Sequence, residues 1–324
     1  MGQVSLSGAD VRLWFAFTLD ILFGEPPGNL HPVCWMGKAV ERAESVVPGR
    51  EGGVYAQRAA GILVAAVLPV GTYMATRAAL RFTPALLRGV AEMALLSTAL
   101  AGRSLYDAAG EVERSLIRDI EDGRAAVSRI VSRDTAGLDE DAVVRATVES
   151  VAENANDGVV APLFYAFAGG VPLALAYKMV NTLDSMVGYR NVRYRDFGWA
   201  AAHLDDAAGY LPARLTVLAV AASSLVTGGD AARALKVSLG DGRGHESPNA
   251  GVCEGAFAGS LGVRLGGADR YGGTSVQKPV LGPGLRQPER EDIMRAARLM
   301  YLSAAMAMTA GTLVRRLVIW MGRR

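Results

Sequence analysis

Four apolar stretches organise this chain. Residues 59–80 (AAGILVAAVLPVGTYMATRAAL) approach the roughly 20 residues that cross a bilayer, with Pro69 as a predicted kink. Residues 159–180 reach the same length, and 211–227 (LPARLTVLAVAASSLVT) are marginal. Residues 297–320 (ARLMYLSAAMAMTAGTLVRRLVIW) form the fourth, with Arg315 and Arg316 near the far end. Two weaker runs, 11–23 and 84–101, predict re-entrant, interfacial or buried helices. Segment 159–180 carries Gly169-Gly170-Val171-Pro172 near its middle, a strong helix breaker. A kinked span and a helical hairpin both fit that break. The hairpin is favoured because it returns to one face and would bring Glu149–Asp157 and Asn181–Asp184 together.

Between these stretches the pattern changes. Over 102–148 apolar residues recur at three- and four-residue spacing (Val112, Leu116, Ile120; Val127, Ile130, Val131), which predicts helices. Arg103, Arg114, Arg118, Arg124, Arg129, Arg133 and Arg145 crowd this section, and the positive-inside rule places it in the cytoplasm. Residues 228–296 are rich in Gly, Arg and Pro and read as folded loops. No internal repeat is present. The expected architecture is all-α: a polytopic integral membrane protein with re-entrant or broken helices and folded polar loops, forming a single membrane-embedded domain over 1–324.

Composition sharpens this picture. Hydrophobic residues make up 51% of the 324 and mean hydropathy is +0.21, but charged residues still reach 20%, so charged folded segments must join the apolar helices. The net charge of +2 balances 34 basic against 32 acidic residues and excludes a global case for nucleic-acid binding. Two cysteines, Cys34 and Cys253, form neither a disulfide framework nor a cysteine zinc site. Residues 1–10 lack a basic n-region, so no cleavable signal peptide is expected.

The candidate chemistry sits at the ends of the 159–180 segment. Glu149, Glu153 and Asp157 are four apart and share a helical stripe. Like charges at that spacing oppose one another unless a hard cation reverses the sign, and Mg2+ recruits one or two carboxylates plus substrate phosphate. A solvated acidic face is the plainer reading. Asn154 and Asn156 add neutral amides, and Asp157-Gly158 predicts a helix end. Lys178, Asn181 and Asp184 share a second face; Lys178 can snorkel, pair with Asp184 or hold a phosphate. Asp205-Asp206 is a further acidic node. Asp20, inside an apolar run, is a functional candidate because a carboxylate at membrane depth costs about 2.5–3.5 kcal/mol. Gly24–Gly37 is a Pro-rich loop with Glu25 and His31. The turn His245–Gly251 places Ser247 and Asn249 at a helix start, where backbone N–H groups offer an anion site; a plain turn is the alternative. The three histidines share no zinc-ligand spacing, and no Walker A pattern or nucleophile elbow occurs.

Taken in order, LDILFGEPPGNLHPVCWMG, GRSL, SRDTAGLDEDAVVRATVESVAENANDGVVAPLFY, NTLDSMVGY, HLDDAAGYLPARL, and SPNAG with AGSLGVRLGG resemble the adenosylcobinamide-phosphate synthase family of cobalamin biosynthesis (CobD/CbiB) over about residues 15–310. Three positions depart from its pattern: Glu25 stands for Asp, Gly209 for Asn, and Gly240 for Arg beside Asp241.

The resemblance implies a ligase of the inner cell membrane, multi-pass, its active site facing the cytoplasm. It implies amide formation between adenosylcobyric acid and (R)-1-aminopropan-2-ol O-phosphate, or the free amino alcohol, with ATP and Mg2+. On that footing Glu149, Glu153, Asp157 and Asp184 are expected to be catalytic and to hold Mg2+, with Asp205 or Asp206 in reserve. Asn154, Asn181, Ser247 and Asn249 are expected to orient substrate, and Lys178 and Arg190 to bind phosphate. His31 or His245 is expected to accept the ammonium proton. The lipid bilayer is an expected partner, as are further copies of the chain or other corrin-pathway membrane enzymes; nucleic acid is not. A transporter of a corrinoid or other anionic solute is the competing class, because broken apolar segments with acids near their ends also occur in transporters.

Overall fold

A computed structural model describes residues 7–25, 28, 31–46, 52–189 and 191–322. The helices in chain order are α1 (Gly8–Phe23), α2 (Pro32–Val46), α3 (Val54–Phe82), α4 (Ala85–Ser97), α5 (Gly102–Arg118) and α6 (Ile120–Val127). Then come α7 (Glu140–Asn154), α8 (Ala161–Val187), α9 (Trp199–Thr227), α10 (Ala231–Gly240), α11 (Ala250–Leu261) and α12 (Arg290–Met321). One antiparallel hairpin, β1 (Leu265–Tyr271) with β2 (Thr274–Leu281), interrupts them before α12.

Five helical stretches are long and apolar enough to cross a membrane: Val54–Phe82, Ala85–Arg118, Glu140–Val187, Trp199–Thr227 and Arg290–Met321. Large apolar side chains such as Ile62, Val67, Leu218 and Leu313 point outward along them, as lipid-facing surfaces require. The chain is therefore an all-α polytopic membrane protein. Segment 211–227 is not marginal, because its helix begins at Trp199 and gains a polar first part that a hydropathy window omits. Segment 84–101 belongs to a candidate span that continues through α5. Run 11–23 forms α1, only 16 residues long, whose inner face buries Leu13, Phe17 and Asp20.

The 159–180 break is a fold-back. Gly169 and Gly170 leave helical geometry, and Gly170 takes φ 72°, ψ −171°, a region essentially reserved for glycine. Tyr165 and Tyr177 stack across the break with ring centroids 4.9 Å apart. Twelve residues of straight helix would separate them by about 18 Å along the axis. The two arms of α8 thus lie side by side, as the hairpin reading expects.

A single domain is expected from sequence; the contacts group the chain into two compact units. The first comprises Met1–Ala101, Ala161–Gly209 and Arg315–Arg324. In it α1 packs on α4, and α8 packs on α2 and α3. A Cβ at Gly61 would collide with the Phe197 carbonyl, so glycine lets α3 approach that turn. The second comprises Gly102–Val160 and Tyr210–Val314. There α5 packs on α6 and α7, and α11 packs on α10, α7 and the hairpin. Val112 and Leu116 are buried at four-residue spacing, as predicted.

Residues 228–296 are more ordered than their composition suggests. Helix α11 (AGVCEGAFAGSL) is built from small residues, and added Cβ atoms at Gly255 and Gly259 would lie 2.9 Å from Ser238 Cα and 2.6 Å from Ala234 Cα on α10. Buried all round, it shows no amphipathic period to read. The hairpin turns through Gly272-Gly273, both at positive φ. Asp134 accepts hydrogen bonds from both turn amides, at 3.1 and 2.7 Å.

Candidate functional site

A buried charge network lies at the centre of the second unit. Glu149, on the inner face of α7, is 1% exposed. Its Oε2 accepts from Arg133 Nη2 at 2.7 Å and its Oε1 from the Gly266 N–H at 2.7 Å. Arg133 Nη1 also donates to Asp269 Oδ1 at 2.8 Å, and Arg145 Nη2 donates to the same oxygen at 3.2 Å. Lys278 Nζ stands 3.3 Å from Asp269 Oδ2. Arg145 further binds the Gly266 and Ala268 carbonyls, fixing α7 to β1. Burial works against the Arg133 charge, but Glu149 and Asp269 outweigh it, so the guanidinium holds its proton above the ordinary Arg range. Lys278 shows the same balance: burial and Arg133 oppose its charge, Glu149 and Glu254 sustain it, and its pKa rises.

This network corrects the role expected of Glu149. Both its oxygens are engaged by protein donors, so it ties α7 to the 133 loop and to the hairpin rather than waiting for a metal. Among the described residues, no group of three or more His, Cys, Asp or Glu is placed to hold a metal ion. Of the four residues expected to hold Mg2+, Glu149 thus has both oxygens taken by protein donors. Arg133 and Arg145, counted from sequence as topology signals, serve this interior instead.

Glu153 follows one turn later. Its side chain is exposed, and the charges of Asp157, Lys278, Arg133 and Glu149 act on it. The helix does not end at Asp157-Gly158. It widens into a π-helical segment, Ala155–Val160, and runs on into α8. Such segments insert a residue into the helical register and occur often at functional sites. Asn156 uses both ends of its amide: Nδ2 donates to Asp157 Oδ1 at 2.7 Å, and Oδ1 accepts from Thr216 Oγ1 at 3.1 Å. Asn154 Nδ2 bonds back to the Ser150 carbonyl at 2.9 Å.

Helix α11 enters this neighbourhood from the other side of the chain. Ser247 Oγ accepts from the Asn249 and Ala250 N–H groups at 3.3 and 3.2 Å, so the helix start is capped by its own turn. The anion site expected there is taken by this cap. Asn249 Oδ1 accepts from Arg214 at 2.8 Å. With Thr216 on Asn156, Arg214 on Asn249 links α9 to both the 154–157 stretch and the 247–249 turn.

His245 Nδ1 accepts from the Ser247 N–H at 3.1 Å, the shorter of its two contacts with that residue, which leaves the proton on Nε2. Nε2 is buried without a partner. Burial, and then Lys278, lower the ring's pKa, so His245 is neutral at neutral pH and presents an N–H donor. His31 is held the same way in the first unit. Its Nδ1 accepts from the Val33 N–H at 3.1 Å, and Nε2 lies 3.6 Å from Glu25 Oε2. Burial lowers its pKa, Glu25 opposes that, and Lys178 adds to it. Both rings therefore suit donation better than the proton acceptance expected of them.

The remaining expected residues divide between the units. Lys178, Asn181, Asp184, Asp205 and Asp206 belong to the first, with His31. Lys178 acts on His31, and Asp205 lies within electrostatic reach of Tyr165, whose hydroxyl donates to the Ala208 carbonyl at 2.9 Å. Arg190 lies outside the described residues.

Sequence reading missed Glu254. It is 2% exposed on α11, its Oε2 has no hydrogen-bond partner, and burial with Glu149 and Glu153 pushes its pKa well above the carboxylate range. Its signal was present: it is the sole charge in an otherwise small and apolar 12-residue helix. Lys278 and Asp269 had no such signal, because each is one charged residue of a short strand in a polar stretch.

The sequence profile described as CobD/Cbib protein matches residues 13–300. A cobalamin biosynthesis protein CobD from Geobacter metallireducens is 46% identical over 294 residues, covering 88% of this chain and 90% of that protein. The CbiB protein of Salmonella typhimurium is 40% identical over 297 residues (90% and 93%), and a Citrobacter koseri CobD is 39% identical over 314 (95% and 98%). No solved structure matches the chain.

Proposed function

Because this chain belongs to the CobD/CbiB family, we propose that it acts in cobalamin biosynthesis as a membrane ligase. In this reading it joins the propionate carboxylate of adenosylcobyric acid to the amine of (R)-1-aminopropan-2-ol O-phosphate, or of the free amino alcohol, at the expense of ATP. The match across residues 13–300 carries the reading. The second unit supports it with a polar interior of the right character: fixed cations, an unpaired N–H donor on His245, and carboxylates not matched by a contacting cation.

A carboxylate is a poor acyl electrophile at neutral pH, so the acid is first phosphorylated by ATP, with ADP leaving. The amine nitrogen then bonds to the acyl carbon as the bond to the phosphate oxygen breaks, and phosphate departs with that electron pair. Negative charge grows on the acyl oxygen and on the phosphate. Lys278 and the His245 Nε2–H are the donors available to meet it without reorganising. Magnesium enters this reading only as the companion of the nucleotide's phosphates, since no protein cage for it is present among the described residues. The active site faces the cytoplasm of the inner membrane, where ATP and both substrates are found.

The test is purified protein in lipid with cobyric acid, ATP, Mg2+ and each form of the amine, with products identified by mass. An amide product with matching ADP release is the expected result. Solute flux into liposomes without turnover would instead establish a transporter.

A further inference from the structure

The second unit holds a buried carboxyl group with one oxygen that no donor among the described residues meets. Glu254 projects from α11, is 2% exposed, and has no hydrogen-bond donor on Oε2 among the described residues. Leaving a buried carboxyl oxygen unmet costs free energy, and burial with Glu149 and Glu153 raises its affinity for a proton until a cation arrives to hold it as the carboxylate. The nearby cations do not relieve it. Arg133 is bound to Glu149 and Asp269, Arg145 is bound to Asp269 and the β1 carbonyls, and Lys278 stands 3.3 Å from Asp269 and makes no ion pair with Glu254. Glu153 also makes no ion pair among the described residues, and it stands open to solvent within electrostatic reach of Glu254. Neither carboxyl group is paired with a cation among the described residues, Glu254 being buried and Glu153 exposed.

We propose that Glu254, with Glu153 at the entrance, seats the ammonium group of the amine substrate. The assignment rests on the ligase reading above and adds to it which substrate group these two side chains take. A primary ammonium carries three N–H donors and one positive charge, the complement of two carboxylates that lack both. A metal ion fits less well, because no third His, Cys, Asp or Glu is placed to complete its shell among the described residues.

Once bound, the ammonium loses one proton. The N–H bond breaks, the nitrogen keeps the electron pair, and the proton forms an O–H bond on Glu254 Oε2. Burial makes that carboxylate a stronger base than a solvated one, which suits the transfer.

Calorimetry on the full-length protein in nanodiscs tests this with two ligands, 1-aminopropan-2-ol O-phosphate and propan-2-yl phosphate, which lacks the amine. Wild type should bind the amine-bearing ligand more tightly. Glu254→Gln should weaken that ligand by roughly 30-fold or more and leave propan-2-yl phosphate unchanged. Glu153→Gln should shift binding the same way by less, and it carries the test if the thermal midpoint of the Glu254 variant shows misfolding. Equal binding of the two ligands by wild type, or full retention of the preference in both variants, overturns the proposal. So does a Mg2+ titration, without nucleotide, whose binding signal disappears in Glu254→Gln while amine affinity is untouched. Turnover measured on the same samples separates the two readings. Product formed without amine discrimination defeats the ammonium seat alone; discrimination without product defeats the ligase alone and leaves the seat standing.

Discussion

Arg133→Met removes the charge that joins three parts of the second unit while keeping most of the side-chain volume. Arg133 donates to Glu149 at 2.7 Å and to Asp269 at 2.8 Å, and its own side chain is 7% exposed. Hydrogen bonds to charged groups contribute about 1.5–3 kcal/mol each, and breaking a buried ion pair by deleting one partner costs about 3–5 kcal/mol. Compensation is partial. Glu149 keeps the Gly266 N–H, and Asp269 keeps Arg145 and Lys278. The loss should therefore fall near the lower bound, about 3 kcal/mol. For a domain of moderate size this corresponds to a midpoint roughly 6–12 °C lower, read by circular dichroism on heating in detergent. The double variant Arg133→Met/Glu149→Gln should recover part of that loss, because it no longer strands a charged carboxylate. Arg118→Ala, which breaks an exposed pair with Asp122, should leave the midpoint unchanged. A midpoint for Arg133→Met within about 2 °C of wild type would refute the reading of this network as a structural tie.

Gly170→Ala places a Cβ at φ 72°, ψ −171° and should cost about 1–3 kcal/mol by straining the α8 fold-back, seen as a lower thermal midpoint; an unchanged midpoint would show that the turn does not need glycine. His245 has a folded-state pKa below that of the unfolded chain, because of burial and then Lys278. The unfolded chain therefore binds more protons as pH drops below about 6.5, and the contribution of this ring to stability is lost on acidification. Midpoints measured from pH 7.5 to 5 should fall less in His245→Gln than in wild type; equal slopes would remove His245 from the account.

Much of this protein was legible along the chain. Apolar length announced the spans, because crossing a bilayer requires about 20 apolar residues whatever lies around them. The Gly-Gly-Val-Pro break announced the fold-back, since its backbone geometry is local. Four-residue spacing announced the α5 face carrying Val112 and Leu116. Charge was legible only as composition. The same Arg133 and Arg145 that counted as surface topology signals became the interior partners of Glu149 and Asp269, because residues far apart in sequence met. Glu149, Glu153 and Asp157 looked equivalent at four-residue spacing. Tertiary contacts gave them different fates: donors from the 133 loop and the hairpin occupied the first, solvent reached the second, and a π-helical register shift met the third. The unmet carboxylate of Glu254 arose in the same way, since whether a buried charge is satisfied depends on where every other helix places its donors. Sequence determined the elements and their breaks, which are governed by local backbone and solvent preferences; the structure alone decided which charges are spent on the fold and which remain for a ligand.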